Sequence, residues 1–132
     1  MKSKAKPHSS PNRRQRLARW GELKAAEMLD SKGYQVLERN FRTPYGEIDL
    51  VALKDECLLF IEAKTRSSLE FGYPEQAVDS RKGLHLVQCA EWYMQNNPTV
   101  ATSYRIDVAA LTVNPKNWDE YSLEWFENAV SL

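Results

Sequence analysis

The 132-residue chain contains no apolar run long enough to cross a bilayer, which excludes a helical membrane protein. It has only two cysteines, Cys57 and Cys89, far apart and each in an apolar setting. Two such thiols make neither a disulfide framework nor a zinc site, and they read as reduced packing residues of a cytosolic protein. The two histidines, His8 and His85, are too isolated to form a metal cluster. The N-terminus is basic but no apolar segment follows it, which argues against a secretory signal and for a cytoplasmic protein. No internal repeat is visible, and the length suits one domain with a real hydrophobic core. Net charge is also lacking, with 18 basic residues against 18 acidic ones.

That balance hides an asymmetry. Lys2, Lys4, Lys6, Arg13, Arg14, Arg16 and Arg19 all precede the first acid, Glu22. A basic arm on an acidic body suits contact with a polyanion, although a solvated tail has the same composition. Residues 1–9 are expected to be a disordered basic tail and residues 10–132 the folded domain.

Ser10 and Pro11 predict a helix entrance, with Ser10 as N-cap and Pro11 at the first helical position. The helix should run to Lys32, with Gly33 as its left-handed stop. Its apolar stripe is Ala18, Gly21, Ala25, Met28 and Leu29, and Glu22 falls on that stripe. Tyr34–Arg39 reads as a strand and residues 40–45 as a loop. Glu47–Leu53 and Glu56–Thr65 read as an antiparallel hairpin, followed by a loop over 66–73. A second helix is expected from Pro74 to Gln95, with Ala77, Leu84, Val87, Ala90 and Met94 inward. Tyr104–Val113 reads as a strand and Leu123–Asn128 as a short last edge strand. The order α-β-β-β-α-β-β predicts an α/β fold, a mixed β-sheet flanked by helices.

Within the hairpin, Gly46-Glu47-Ile48-Asp49-Leu50 and Phe60-Ile61-Glu62-Ala63-Lys64 set acids into otherwise apolar strands. A buried carboxylate is costly unless something pairs with it. Glu62 and Lys64 share a face by the strand's period of two. If Leu53 opposes Leu58, Asp49 lies directly opposite Glu62. If Leu53 opposes Glu56, the two acids are diagonal on the same face, and a one-residue slip separates them. Two convergent carboxylates suit Mg²⁺ or Mn²⁺, hard ions that keep waters and share coordination with phosphates. An ion there would polarise a scissile phosphate, with Lys64 beside it to orient water or neutralise charge. Glu22 could hold a water of that ion or a second ion, or it could be a half-buried acid paired with Lys24, Arg42 or another base. Acid-x-lysine is also common in ordinary strands as a surface pattern or a structural ion pair.

The chain resembles the YraN-type family of small bacterial proteins, which has a PD-(D/E)XK nuclease-like fold related to archaeal Holliday junction resolvases. The resemblance rests on Gly21-Glu22, Gly33-Tyr34, Asn40-Phe41-Arg42, Gly46 to Leu50, Glu62 to Arg66, Ala77-Val78 with Lys82, Arg105 to Val108, and Glu127 to Ala129. It implies a restriction-endonuclease-like fold, with Asp49 as the motif aspartate and Glu62 and Lys64 as the E-x-K pair. Glu22 matches the helix acid of the resolvase-like branch. Ala63 stands where the family usually has valine, which leaves its backbone carbonyl available as a metal ligand. The implied activity is endonuclease-like hydrolysis of DNA.

Arg66 and the hydroxyls of Ser67 and Ser68 form a candidate phosphate clamp, with Lys82 and Arg42 as further candidates for nucleic-acid contact. Each is equally at home as a solvated base or in a local ion pair. Trp20, Trp92, Trp118 and Trp125 read as core or interface rather than as base-stacking platforms, and Asp107 as structural. Three functions stay open. The chain is a metal-dependent endonuclease acting on DNA, branched DNA included; a nucleic-acid-binding module that does not cut; or an interaction domain on the same fold. Symmetric cutting of two strands would need a homodimer.

Overall fold

The structure, a computed structural model, describes residues 10–68 and 80–129, without the side chains of 80–82. Its elements follow the expected order. They are α1 (Arg13–Ser31), β1 (Gln35–Thr43), β2 (Gly46–Lys54), β3 (Cys57–Ser67), α2 (Ser80–Asn96), β4 (Ser103–Asn114) and β5 (Asn117–Phe126). The five strands form one sheet in sequence order. β3 and β4 pair parallel through the α2 crossover and every other pair is antiparallel, so the sheet is mixed and the fold is α/β.

α1 starts two residues later than expected. Asn12, not Ser10, is the N-cap: its side chain accepts from Gln15 N at 2.8 Å, and Gln15 Oε1 accepts from Asn12 N at 3.0 Å. This reciprocal box satisfies two orphan donors, which Ser10 cannot do because the residue three positions on is Arg13, a side chain with no acceptor. The other end closes as predicted at Gly33, with φ of +84°. Tyr34 N donates to Leu29 O and Gly33 N to Asp30 O, a Schellman closure.

The two helices cover opposite sheet faces. α1 packs Ala25, Ala26 and Leu29 onto Leu50, Ala52, Leu59, Ile61, Ala109 and Leu111. α2 packs Leu86, Cys89, Ala90 and Tyr93 onto Ile48, Val51, Leu58, Phe60 and Ile106. Leu84, expected inward, is 50% exposed. The buried stripe is Leu86, Val87, Cys89, Ala90 and Tyr93, and a helix turns 100° per residue, so Leu84 falls outside it. Among the described α1 residues Ala18 is exposed, also against expectation. The expected entrance of the second helix at Pro74, with Ala77, lies outside the described residues.

Strand boundaries also differ. β1 continues through residues 40–43, which the sequence reading made a loop, and turns at Pro44-Tyr45. β3 extends to Ser67 because Arg66 and Ser67 stay paired with Thr112 and Val113. β5 is ten residues long and begins at Asn117, directly after the Pro115-Lys116 turn. Its polar residues Asp119, Glu120 and Glu124 face solvent, which masks the strand in the sequence. The tryptophans pack as expected: Trp20 lies 5.9 Å from Trp118, and Trp92 lies 6.0 Å from Phe41.

Candidate metal and phosphate site

The sheet forks at the candidate site. β2 pairs with β3 from Lys54↔Cys57 to Leu50↔Ile61, in the register that has Leu53 opposite Leu58. Beyond Leu50, β2 continues only in its hairpin with β1, to Gly46. β3 continues paired to β4 as far as Ser67. Extending the β2–β3 register by one residue sets Asp49 opposite Glu62, the first of the two arrangements open from sequence. In place of a backbone pair at the fork, Asp49 Oδ2 accepts from Ala63 N at 2.9 Å.

A cavity of about 460 Å³ opens in the fork. Asp49, Glu62, Ala63, Lys64 and Arg66 line it from the sheet, and Glu22 from α1. Arg14, Leu17 and Ala18 complete the α1 side, and the sequence reading did not assign them to the site. Their signal is helical phase: residues 14, 17, 18, 21 and 22 lie on one face when counted back from Glu22. Arg14 was grouped by charge with the basic residues that precede Glu22.

Glu62 is 6% exposed, an acid nearly buried in an apolar strand. Glu22 is half-buried, and its carboxyl titrates above the ordinary 4.5. Burial is the main cause; the nearby carboxylates of Glu47 and Glu62 push the same way, while an Asn40 hydrogen bond and Arg19 oppose it. Asn40 takes a left-handed φ of +50° in β1, a conformation asparagine tolerates. Two of the alternative partners for Glu22 are engaged elsewhere, while a third base, Arg19, lies near enough to favour its carboxylate. Lys24 pairs with Glu27 at 3.3 Å, and Arg42 with Glu47 at 3.7 Å.

α1 sits close enough to β3 for this geometry because residue 21 is glycine. A Cβ there would overlap Thr65 Oγ1 and lie 3.1 Å from Thr65 Cβ. The N-terminal end of α1 is held by Arg13, whose guanidinium donates to Pro115 O and lies 5.6 Å from the Trp118 ring centroid.

The donor set fits a hard divalent ion. Asp49 and Glu62 supply carboxylate oxygens. Ala63 N points to Asp49, and a residue's N–H and C=O face the same side of a strand, so its carbonyl also faces the fork. Among the described residues no three His, Cys, Asp or Glu side chains group tightly around one point. The compact set is therefore two carboxylates and a carbonyl, with Glu22 at the cavity wall. Arg42 is 86% exposed at the hairpin end of β1, outside the cavity lining. Lys82 lies in the first turn of α2, and its side chain is outside the described residues. Asp107 is fully buried and structural. It accepts from Arg105 Nε and Nη2 at 3.0 and 3.1 Å, Trp125 Nε1 at 2.7 Å and Asn128 N at 2.8 Å.

The chain belongs to the uncharacterised protein family UPF0102, whose family model matches residues 21–111. It is 43% identical over 97 residues to a UPF0102 protein of Caldicellulosiruptor saccharolyticus, covering 74% of this chain and 82% of that one. It is 46% identical over 97 residues to one of Syntrophomonas wolfei, covering 74% and 84%. The match to one of Syntrophotalea carbinolica is 38% over 116 residues, covering 88% and 92%. Among solved structures, SfsA of Pyrococcus furiosus in complex with Ca²⁺ aligns at a TM-score of 0.39 with 17% identity. That alignment covers 86% of this chain and 62% of SfsA. No helix among the described residues is long and apolar enough to cross a membrane.

Proposed function

We propose that this UPF0102 protein is a metal-dependent endonuclease on a restriction-endonuclease-like fold, hydrolysing phosphodiester bonds in DNA, branched DNA included. The observation that carries the reading is the fork itself. Asp49 and Glu62 line one cavity with Lys64 where β2 leaves β3. An acid pair so placed has no packing role that apolar residues would not fill better.

Asp49, Glu62 and the Ala63 carbonyl would hold Mg²⁺ or Mn²⁺. When bound, that ion supplies Lewis-acid polarisation of the scissile phosphate and lowers the pKa of a water. The chain's own residues do the rest. Ala63 N–H fixes the Asp49 carboxylate by donating to Oδ2. Lys64, two residues after Glu62 and on its face, places an ammonium where charge develops on the phosphate. Glu22, held at the wall with its affinity for a proton raised, orients water at the acid end. Arg66 contacts the phosphate backbone from the same cavity. Arg42 and Lys82 remain outer candidates for DNA contact. The free cysteines, one buried and one half-buried, suit the cytoplasm. A homodimer would supply the second cut for symmetric cleavage.

The test is to incubate the protein with linear and four-way-junction DNA in Mg²⁺, Mn²⁺ or EDTA, beside Asp49→Ala and Lys64→Ala. Cleavage should need the ion and Asp49. Lys64→Ala should lower turnover far more than DNA affinity, since its role is at the reacting phosphate. DNA binding without any Asp49-dependent cleavage would favour the binding-module reading, and neither binding nor cleavage the interaction-domain reading.

A further inference from the structure

We infer that the cavity carries a second anion subsite, formed by Arg14 and Arg66, which takes the phosphate next to the scissile one. This rests on the nuclease reading of the acid end and extends it to the substrate class. The ligand is a nucleic-acid strand with at least two consecutive phosphates, and an isolated phosphodiester fills only half the site.

The cavity is polarised. Its lining holds three carboxylates, Glu22, Asp49 and Glu62, and three cations, Arg14, Lys64 and Arg66. Topology spreads them along one axis: Asp49 and Glu62 at one end, Lys64 in the middle with Glu22 level with it (Gly21 meets Thr65), and Arg66 and Arg14 toward the other end. α1 runs antiparallel to β3: Leu29 meets Leu59, Gly21 meets Thr65, and Arg13 reaches Pro115 beyond the end of β3. Moving from Glu22 to Arg14 along α1 therefore goes the same way as moving from Glu62 to Arg66 along β3. The first step is about 12 Å at 1.5 Å per residue. The second is about 13 Å at 3.3 Å per residue. Both steps end on an arginine, and Lys64 lies midway. A phosphate held at the acid end thus has its neighbour toward two guanidinium forks, the geometry that binds phosphate oxygens in pairs.

The composition of α1 agrees. Its first turn holds Arg13, Arg14 and Arg16 and no acid, the charge least favoured at a helix N-terminus. Arg13 has a structural task at Pro115 and Trp118, and Arg16 donates to Pro11 O at 2.8 Å. Arg14 instead faces the cavity.

The experiment is fluorescence anisotropy of a labelled single-stranded 12-mer in EDTA, across a salt series, with wild type, Arg14→Ala, Arg66→Gln and Arg39→Ala. Arg39 is an exposed base of β1 outside the cavity, so its variant removes one charge elsewhere. Arg14→Ala should weaken binding about ten-fold or more. It should also make the log–log salt slope shallower by about 0.7, the value for one lost single-strand phosphate contact. Arg66→Gln should act in the same way and Arg39→Ala much less. Equal effects of Arg14→Ala and Arg39→Ala would overturn the subsite in favour of diffuse charge. Wild-type affinity and slope in Arg14→Ala, or no affinity of wild type for the strand, would overturn it too. No hydrolysis occurs in EDTA, so failure of the subsite is read separately from failure of Asp49-dependent cleavage.

Discussion

Gly21→Ala tests the helix–strand approach that shapes the cavity. In an exposed helix the change should stabilise by about 1 kcal/mol, through lower backbone entropy in the unfolded chain and better helix propensity. Here the new methyl overlaps Thr65 Oγ1 and lies 3.1 and 3.5 Å from Thr65 Cβ and Cγ2. Rotating the threonine about χ1 moves Oγ1 but leaves Cβ in place, and a β-branched side chain has few other rotamers. α1 or β3 must therefore shift by some tenths of an ångström. Overpacking of this kind costs roughly 1–3 kcal/mol. The net is a destabilisation of about 1 kcal/mol, or about 4 °C in melting temperature for a domain of this length. Thermal unfolding of wild type, Gly21→Ala, Thr65→Ala and the double variant measures it. Thr65→Ala deletes two of the three crowding atoms, so the pair should couple by at least about 0.5 kcal/mol in the relieving direction. A rise of about 4 °C in Gly21→Ala, the propensity gain alone, would refute the close approach, as would zero coupling.

The remaining predictions concern charge. Millimolar Mg²⁺ or Mn²⁺ should raise the melting temperature of wild type by mass action and leave Asp49→Ala unmoved; an equal shift in both would place the ion elsewhere. Glu22 titrates above 4.5 in the folded protein, so its contribution to stability is fully present below that pH and is lost as pH rises through the raised value. Glu22→Gln in EDTA should therefore melt higher than wild type at neutral pH, with the gap closing toward pH 4.5; a gap constant with pH would show that the carboxyl is not strained by burial. Arg105→Met should destabilise by about 3–5 kcal/mol, because it leaves the Asp107 carboxylate buried without its cation. Adding Asp107→Leu should restore part of that loss in denaturant unfolding, and a further additive loss would show that the two residues act independently.

The hairpin was legible as two apolar runs, Ile48–Leu53 and Leu58–Ile61, around a short polar turn. Both runs are buried on both faces, so they leave the register open, with Asp49 opposite Glu62, diagonal to it, or slipped to the other face. The edge strands were harder to read. β1 and β5 each offer one side to solvent, so residues 40–43 and 117–122 look like loop until Phe41 and Trp118 are seen packing inward. Asn12 was missed as the cap because Ser10-Pro11 is the louder signal, although only Asn12 has a glutamine three residues on to close the box. Arg14 stood out by charge rather than by face, and it joins the site when α1 is phased from Glu22.

The sequence sets two acids in one pattern and assigns them differently, Asp107 to structure and Glu62 to the candidate site. Arg105-x-Asp107 and Glu62-x-Lys64 are the same pattern: an acid and a base two residues apart, on one strand face, in neighbouring strands with Ile61 beside Asp107. The donors around the carboxylate make the difference. Asp107 is paired with Ile61 of β3, and Trp125 and Asn128 from β5 and its exit close the carboxylate with two more donors. Its charge is fully answered by protein, and Arg105 is held as a cation by the same contact. At Glu62 the partner strand β2 has just left, Asp49 brings a second carboxylate, and the space between them is cavity. Under the proposed function, an ion shared with a phosphate would lie between the two acids. The two acids then differ in their surroundings: donors from β5 and its exit close over Asp107, whereas Glu62 lines a cavity with Asp49 where β2 leaves β3.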